Sequence, residues 1–318
     1  MQFSGRMRER NWKRTGIFAL VYGVVGVIAC GLLYSYLFGP TNPSAVREEF
    51  IVQPDQSTTD VVEALKSGGY VRSEIAVRIA LMGKVSDRGI QPGGYELSRR
   101  MDAWQVADML GKPPYLSWIT IPQGARKEQI ADLLAEELFW SDAQKEEWAA
   151  ATATDGSILE GVYYPGTYLI ASDQPPAQIA ARFRGRFTDA FAPYVAEAKQ
   201  KGLSWPDVLT LASIVEREAA KHDKALVAGI LWNRLDEGMR LQADATLQYA
   251  KGQTGNWWPV PKSEDKYIES PFNTYMYAGL PPHPIATPSA ASVAAVLNPE
   301  STNCIYYLHD PNGQIHCS

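Results

Sequence analysis

Leu211-Ala212-Ser213-Ile214-Val215-Glu216-Arg217-Glu218-Ala219-Ala220 sets two carboxylates at the end of an otherwise apolar run. Just upstream, Ser204-Trp205-Pro206-Asp207 reads as a helix start, with Ser204 as candidate cap and Pro206 in the first turn. The spacing predicts a helix that continues to about Lys221. On it, Leu211, Ile214 and Val215 precede Glu218 by seven, four and three residues, so all share its face. Apolar surroundings desolvate a carboxylate and raise its pKa. A carboxylic acid still protonated near neutral pH is what glycosidic cleavage needs at the leaving oxygen. Glu216 falls elsewhere on the wheel, near Leu209, Ala212 and Ala220. Spacing does not choose between the two acids. It equally allows both to be solvated charges with Arg217 and Lys221 as ion partners.

Working outward, the chain from about Lys127 to residue 234 reads as mainly helical, interrupted by the aromatic, turn-rich Leu159-Glu160-Gly161-Val162-Tyr163-Tyr164-Pro165-Gly166-Thr167-Tyr168. Beyond Leu235 loops and short strands are expected. Asn233-Arg234-Leu235-Asp236-Glu237-Gly238 closes a helix, and a polar loop with Gln242 and Asp244 follows. Ser270-Pro271-Phe272-Asn273-Thr274-Tyr275 and Gly279-Leu280-Pro281-Pro282-His283-Pro284-Ile285 are rigid Pro-rich loops. Their amide, hydroxyl and aromatic groups suit carbohydrate, or simply cap turns. Upstream, a strand at Phe50-Ile51-Val52, helices after Ser57 and from about Ser73 to Met82, a strand ending at Leu97, a helix from Met101 to Leu110 and a strand at Trp118–Ile121 make a small α+β unit.

The 318 residues suit two modest domains plus accessory segments, and 46% apolar residues supply a core of ordinary size. A net charge of −5 argues against nucleic acid as the main partner. The positive charge is concentrated at the start, in Arg6, Arg8, Arg10, Lys13 and Arg14. Ile17 to Phe38 follows without a charged residue, about as long as a helix needs to cross a bilayer. A basic flank stays cytoplasmic, which puts the N-terminus inside and everything from Gly39 outside. A cleaved signal peptide is the alternative, and Gly39-Pro40-Thr41 is a poor site for cleavage. Of three cysteines, Cys30 lies in the span, while Cys304 and Cys317 are free to pair in an oxidising compartment. Four scattered His and no CxxC pair give no expectation of a metal or cofactor.

Four motifs occur in order: LEGVYYPGTY, LASIVERE, NRLDEGMRLQADATLQY and SPFNTYMYAGLPPHPIATPSAAS. With them the chain resembles the YceG-like endolytic murein transglycosylase family over nearly its whole length. The resemblance implies an α+β fold: a basic tail (1–16), a transmembrane helix (17–38), a linker (39–48), a LysM-like subdomain (49–120) and a mainly helical, lysozyme-like catalytic domain (121–318). It implies lytic cleavage of the MurNAc-β-1,4-GlcNAc bond in nascent glycan strands, with a 1,6-anhydro end, at the outer side of the inner membrane. A peptidoglycan synthase is the implied partner. It makes Glu218 the catalytic residue, with Glu216 the fallback, and puts Asn233, Gln242, Asp244, Asn273, Thr274 and Tyr275 on the substrate. A hydrolytic muramidase using Asp244 as second carboxylate, and a non-catalytic wall-binding scaffold, are the competing readings. The chain departs from the family at Ala219 (often Thr), Gly166 (usually Asp), Ala245 (usually Pro) and Cys317 (where Phe is expected).

Overall fold

A computed structural model describes residues 4–85, 89–153, 160–220, 222–310 and 314–318, with side chains from Phe18 onward except that of Ala19. Leu159, Lys221 and the side chains of the basic tail, all invoked above, lie outside the described residues. The class is α+β, with one apolar N-terminal helix. The chain separates into two compact units, 1–118 and 119–318.

In the first unit, α1 (Ser4–Phe38) contains a stretch, Leu20–Phe38, long and apolar enough to cross a membrane. Strand β1 (Arg47–Val52) pairs antiparallel with β2 (Gly93–Ser98), Phe50 opposite Tyr95. Gly93 has φ 149°, and a Cβ there would run into the Leu116 carbonyl, so only glycine allows β3 (Leu116–Ile121) to approach. Three short helices follow, α2 (Thr58–Ser67), α3 (Glu74–Leu81) and α4 (Ala103–Leu110); α4 packs on β2, and α3 packs against α2 and α4. Ser57 and Asp60 form a capping box, as do Asp102 and Gln105. Val61, Val62, Leu65, Val77, Leu97 and Val106 are fully buried in the core between them.

The second unit runs from the end of β3 through α5 (Lys127–Glu137), α6 (Asp142–Ala151), β4 (Gly166–Ala171), α7 (Pro176–Gln200), α8 (Trp205–Glu218), α9 (Lys224–Asp236), α10 (Asp244–Lys251), α11 (Ala290–Leu297) and a hairpin of β5 (Tyr307–His309) and β6 (Ile315–Cys317). Every residue of α8 from Val208 to Val215 is buried. A helix apolar all round belongs in the middle, and α7, α9, α10 and α11 surround this one. Three expectations need correction. Helix α8 stops at Glu218, where Ala219 turns to an extended conformation; Ser204 does stand at its N-cap as expected, without a side-chain cap bond. Asp244 opens a helix instead of sitting in a loop. The loop-rich C-terminal part also holds α11, whose small residues pack closely on α8 and α9. Alanine and serine carry little periodic signal, which hid it.

Candidate active site

Glu216 and Glu218, two residues apart at the end of α8, reach opposite kinds of environment. The Glu216 side chain is only 8% exposed and its Oε2 accepts from Lys224 Nζ (2.8 Å), Ser289 N (2.9 Å), Ser289 Oγ (2.6 Å) and Ser292 Oγ (2.5 Å). Burial works against its ionised form, but the hydrogen bonds from Lys224, Ser289 and Ser292 together outweigh it, and the carboxyl is held below the usual range. An acid whose ionised form is favoured by four donors on one oxygen is poorly suited to giving up a proton. It ties α8 to the start of α9 and the cap of α11.

Glu218 is the other case. Burial pushes its carboxyl up, and the charge of Asp244 adds to the shift; the donors Ala245 N and Tyr307 Oη oppose it. The last residue of α8 also faces that helix's own unpaired carbonyls, which disfavour an anion. Its Oε1 accepts from Ala245 N at 2.7 Å, one of the free amides at the start of α10, and its Oε2 accepts from Tyr307 Oη at 3.2 Å. The apolar neighbours Leu211, Ile214 and Val215 are fully buried, as the spacing required. Neither acid is a solvated helix charge, and Arg217 lies with its guanidinium 3.9 Å over the Trp258 ring.

The remaining expected site residues divide. Asp244, whose charge acts on Glu218, and Gln242 are both exposed; Asp244 Oδ1 accepts from Tyr275 Oη at 2.7 Å, and Gln242 has a left-handed backbone, φ 48°. Tyr275 is half-buried. Asn273 and Thr274 are neither exposed nor half-buried. Asn273 is fully buried, its Nδ2 donating to the Lys266 and Ile268 carbonyls, and its Oδ1 accepting from Tyr275 N. Thr274, 2% exposed, accepts from Ala243 N and shares a hydroxyl contact with Thr246. Both fix the loop that holds Tyr275. Asn233 likewise donates to the Thr302 and Cys304 carbonyls (2.8 and 3.0 Å) and anchors the approach to β5. Burial and these bonds give Asn273 and Thr274 a positioning role in place of the expected substrate contact, while the half-buried Asn233 has its Nδ2 engaged by the chain.

Sequence reasoning missed Tyr307 and the Ala245 amide. Tyr307 lies 89 residues from Glu218, and Ile305-Tyr306-Tyr307 signals no more than a strand. A backbone N–H leaves no trace in composition at all. Cys304 and Cys317 form a disulfide across the hairpin that carries Tyr307. No group of three or more His, Cys, Asp or Glu side chains suited to a metal exists among the described residues.

The YceG-like family model matches residues 50–318. The chain belongs to the YceG-like family. It is 30% identical over 283 residues to the endolytic murein transglycosylase of Bacillus subtilis (strain 168), covering 81% of this chain and 78% of that one. The namesake from Streptococcus pneumoniae serotype 2 is 28% identical over 257 residues, and the chain spans only 47% of its length. Among solved structures, a putative yceG-like protein from Listeria monocytogenes superposes with a TM-score of 0.57 and 28% identity, over 86% of this chain and 97% of that one. Within the family-matched region, Glu218 is an acid whose carboxyl burial pushes up, next to the exposed Asp244.

Proposed function

We propose that this protein is a membrane-anchored lytic transglycosylase that cleaves the MurNAc-β-1,4-GlcNAc bond of peptidoglycan, with Glu218 as its single acid and base. The relatives named endolytic murein transglycosylase support the reaction class. The observation that supports the residue assignment is the contrast between Glu216, whose carboxyl is held low by four donors on Oε2, and Glu218, whose carboxyl burial pushes up against only two donors.

In the first step the Glu218 carboxylic acid donates its proton to the glycosidic oxygen while C1 gains positive charge. That proton sits on Oε2, because the Ala245 N–H on Oε1 only donates, whereas the Tyr307 hydroxyl is able to turn and accept. The bond breaks and the GlcNAc side leaves as an alcohol. The new carboxylate, steadied by both donors, takes the proton of the muramyl C6 hydroxyl as that oxygen closes onto C1. The product ends in a 1,6-anhydro ring, and the acid is restored without water. Acid–base assistance of this kind is worth about 10²- to 10⁴-fold.

The same reading makes the first unit a LysM-like glycan holder and the second a lysozyme-like domain. It puts α1 across the inner membrane with the rest outside, near a synthase that delivers nascent strands. A surface cavity of about 730 Å³ bordered by Arg47, Arg100, Gln105 and Asp108 offers polar groups for sugar hydroxyls in the first unit. Purified glycan strands incubated with the full chain should yield products one water lighter than reducing-end fragments, and Glu218→Gln should yield none. Reducing ends would instead hand Asp244 the role of water-activating base, and normal turnover by the Gln variant would remove Glu218 from the mechanism.

A further inference from the structure

Helix α3 is apolar on two sides. Ala76, Val77, Ala80 and Leu81 are buried in the first unit's core, while Ile75, Ile79 and Met82 form an opposite stripe at four- and three-residue spacing. They are 70%, 41% and 74% exposed. An amphipathic surface helix has no need of a second apolar face.

The flanks of α3 say what covers it. Arg72, just before its cap, lies 5.4 Å from the ring centroid of Tyr36, and its Nη1 donates to the Tyr36 carbonyl (3.5 Å). Lys84, two residues past Met82, bonds Asp108 and lies 5.5 Å from the ring centroid of Trp104. Trp104 in turn donates to Tyr34 Oη at 2.9 Å and stacks on Phe38 at 5.6 Å. Both ends of α3 are thus tied to the last turn and a half of α1. Tyr34 lies four residues before Phe38, the end of the apolar stretch, roughly 6 Å down the helix axis. A protein surface that reaches that far down a membrane-spanning helix is at headgroup depth, where Trp, Tyr, Lys and Arg collect.

We propose that α3 rests on the lipid surface of the membrane that α1 crosses, with Ile75, Ile79 and Met82 inserted at the headgroup–acyl boundary. The first unit is then docked on the bilayer instead of hanging from it. The partner is the lipid itself: Arg72, Arg78 and Lys84 flank the stripe, balanced locally by Glu74 and Asp108. The proposal rests on the reading of α1 as a membrane span.

The test uses the full chain in vesicles of phosphatidylethanolamine and phosphatidylglycerol carrying shallow or deep doxyl lipids. A fluorescent label is placed at Met82→Cys in a Cys30→Ser background, and in a second sample on native Cys30, which is exposed on the α1 surface. The Met82 label should lose intensity to shallow doxyl lipid more than to deep, and be shielded from iodide; the Cys30 label should respond most to deep doxyl. A Met82 label open to iodide and untouched by doxyl, beside a quenched Cys30 label, overturns the lipid contact and leaves the span standing. Shielding from iodide without doxyl quenching assigns the stripe to a protein and overturns it too. A Cys30 label untouched by doxyl removes the span, and the proposal with it.

Discussion

Tyr307 is the residue on which the fine behaviour of Glu218 turns. Its hydroxyl favours the ionised carboxyl, while burial favours the neutral one. In the proposed mechanism Glu218 must be protonated to start the reaction, so kcat/KM should fall as pH rises through its raised pKa. Tyr307→Phe removes a donor to the carboxylate, which lifts that pKa further and moves the alkaline limb to higher pH. The intermediate carboxylate also loses a bond to a charged group, worth about 1.5–3 kcal/mol, so turnover should drop roughly 10- to 100-fold. A pH–rate profile with the limb unmoved would reduce Tyr307 to a packing residue. Glu160 makes a separate case in the second unit. It is fully buried, and burial first, then the charge of Glu128, push its carboxyl up to about 8. The folded state therefore binds a proton that the unfolded chain releases above the usual carboxyl range. Stability from this group is complete in acid and is lost between about pH 4.5 and pH 8. Glu160→Gln mimics the protonated form, and its urea midpoint should change less between pH 5 and pH 8 than that of the parent chain.

At the level of elements, the sequence showed what is local and periodic and hid what is distant. The capped helices α2 and α3, helix α4 and the largely buried α8 were legible because Ser57 and Ser73 announce two of the starts and the apolar spacing their faces, though α4 starts after its cap Asp102 and not at the expected Met101. The end of α8 was misjudged by three residues, because Ala219 and Ala220 are good helix formers that tertiary contacts override. The site was half legible: the acid-bearing turn could be found, but not that Ser289 and Ser292 of α11 would saturate one acid and leave the other. Nor does Asn233 look structural in sequence; its role depends on the carbonyls of Thr302 and Cys304. Those contacts, the buried Arg234 bonded to the Ile305 carbonyl, and the Cys304–Cys317 disulfide all fix the β5–β6 hairpin that presents Tyr307. A disulfide closing a loop of this size contributes about 3 kcal/mol. Cys317→Ser should therefore lower turnover toward the level of Tyr307→Phe, and the double variant should lose little beyond either single change. Full additivity of the two losses would mean that the hairpin holds Tyr307 without the disulfide.

For the molecule as a whole, what matters is that the core of the first unit shares no buried residue with the two cores of the second. Val61, Val62, Leu65 and Leu97 belong to one, and Leu211, Ile214, Val215 and Val227 to another in the second unit, beside a third around Trp148 and Phe183. Packing losses are transmitted through contact, so a cavity in one core leaves the other intact. Leu65→Ala empties a fully buried site in the first unit and should cost about 2–5 kcal/mol there. Scanning calorimetry should then show one transition moved down and one unmoved, and turnover of short soluble strands below both transitions should be unchanged, since Glu218, Asp244 and Tyr307 all sit in the second unit. Phe183→Ala, equally buried, should lower the other transition instead. A single cooperative transition that shifts with either substitution would show that the units fold as one.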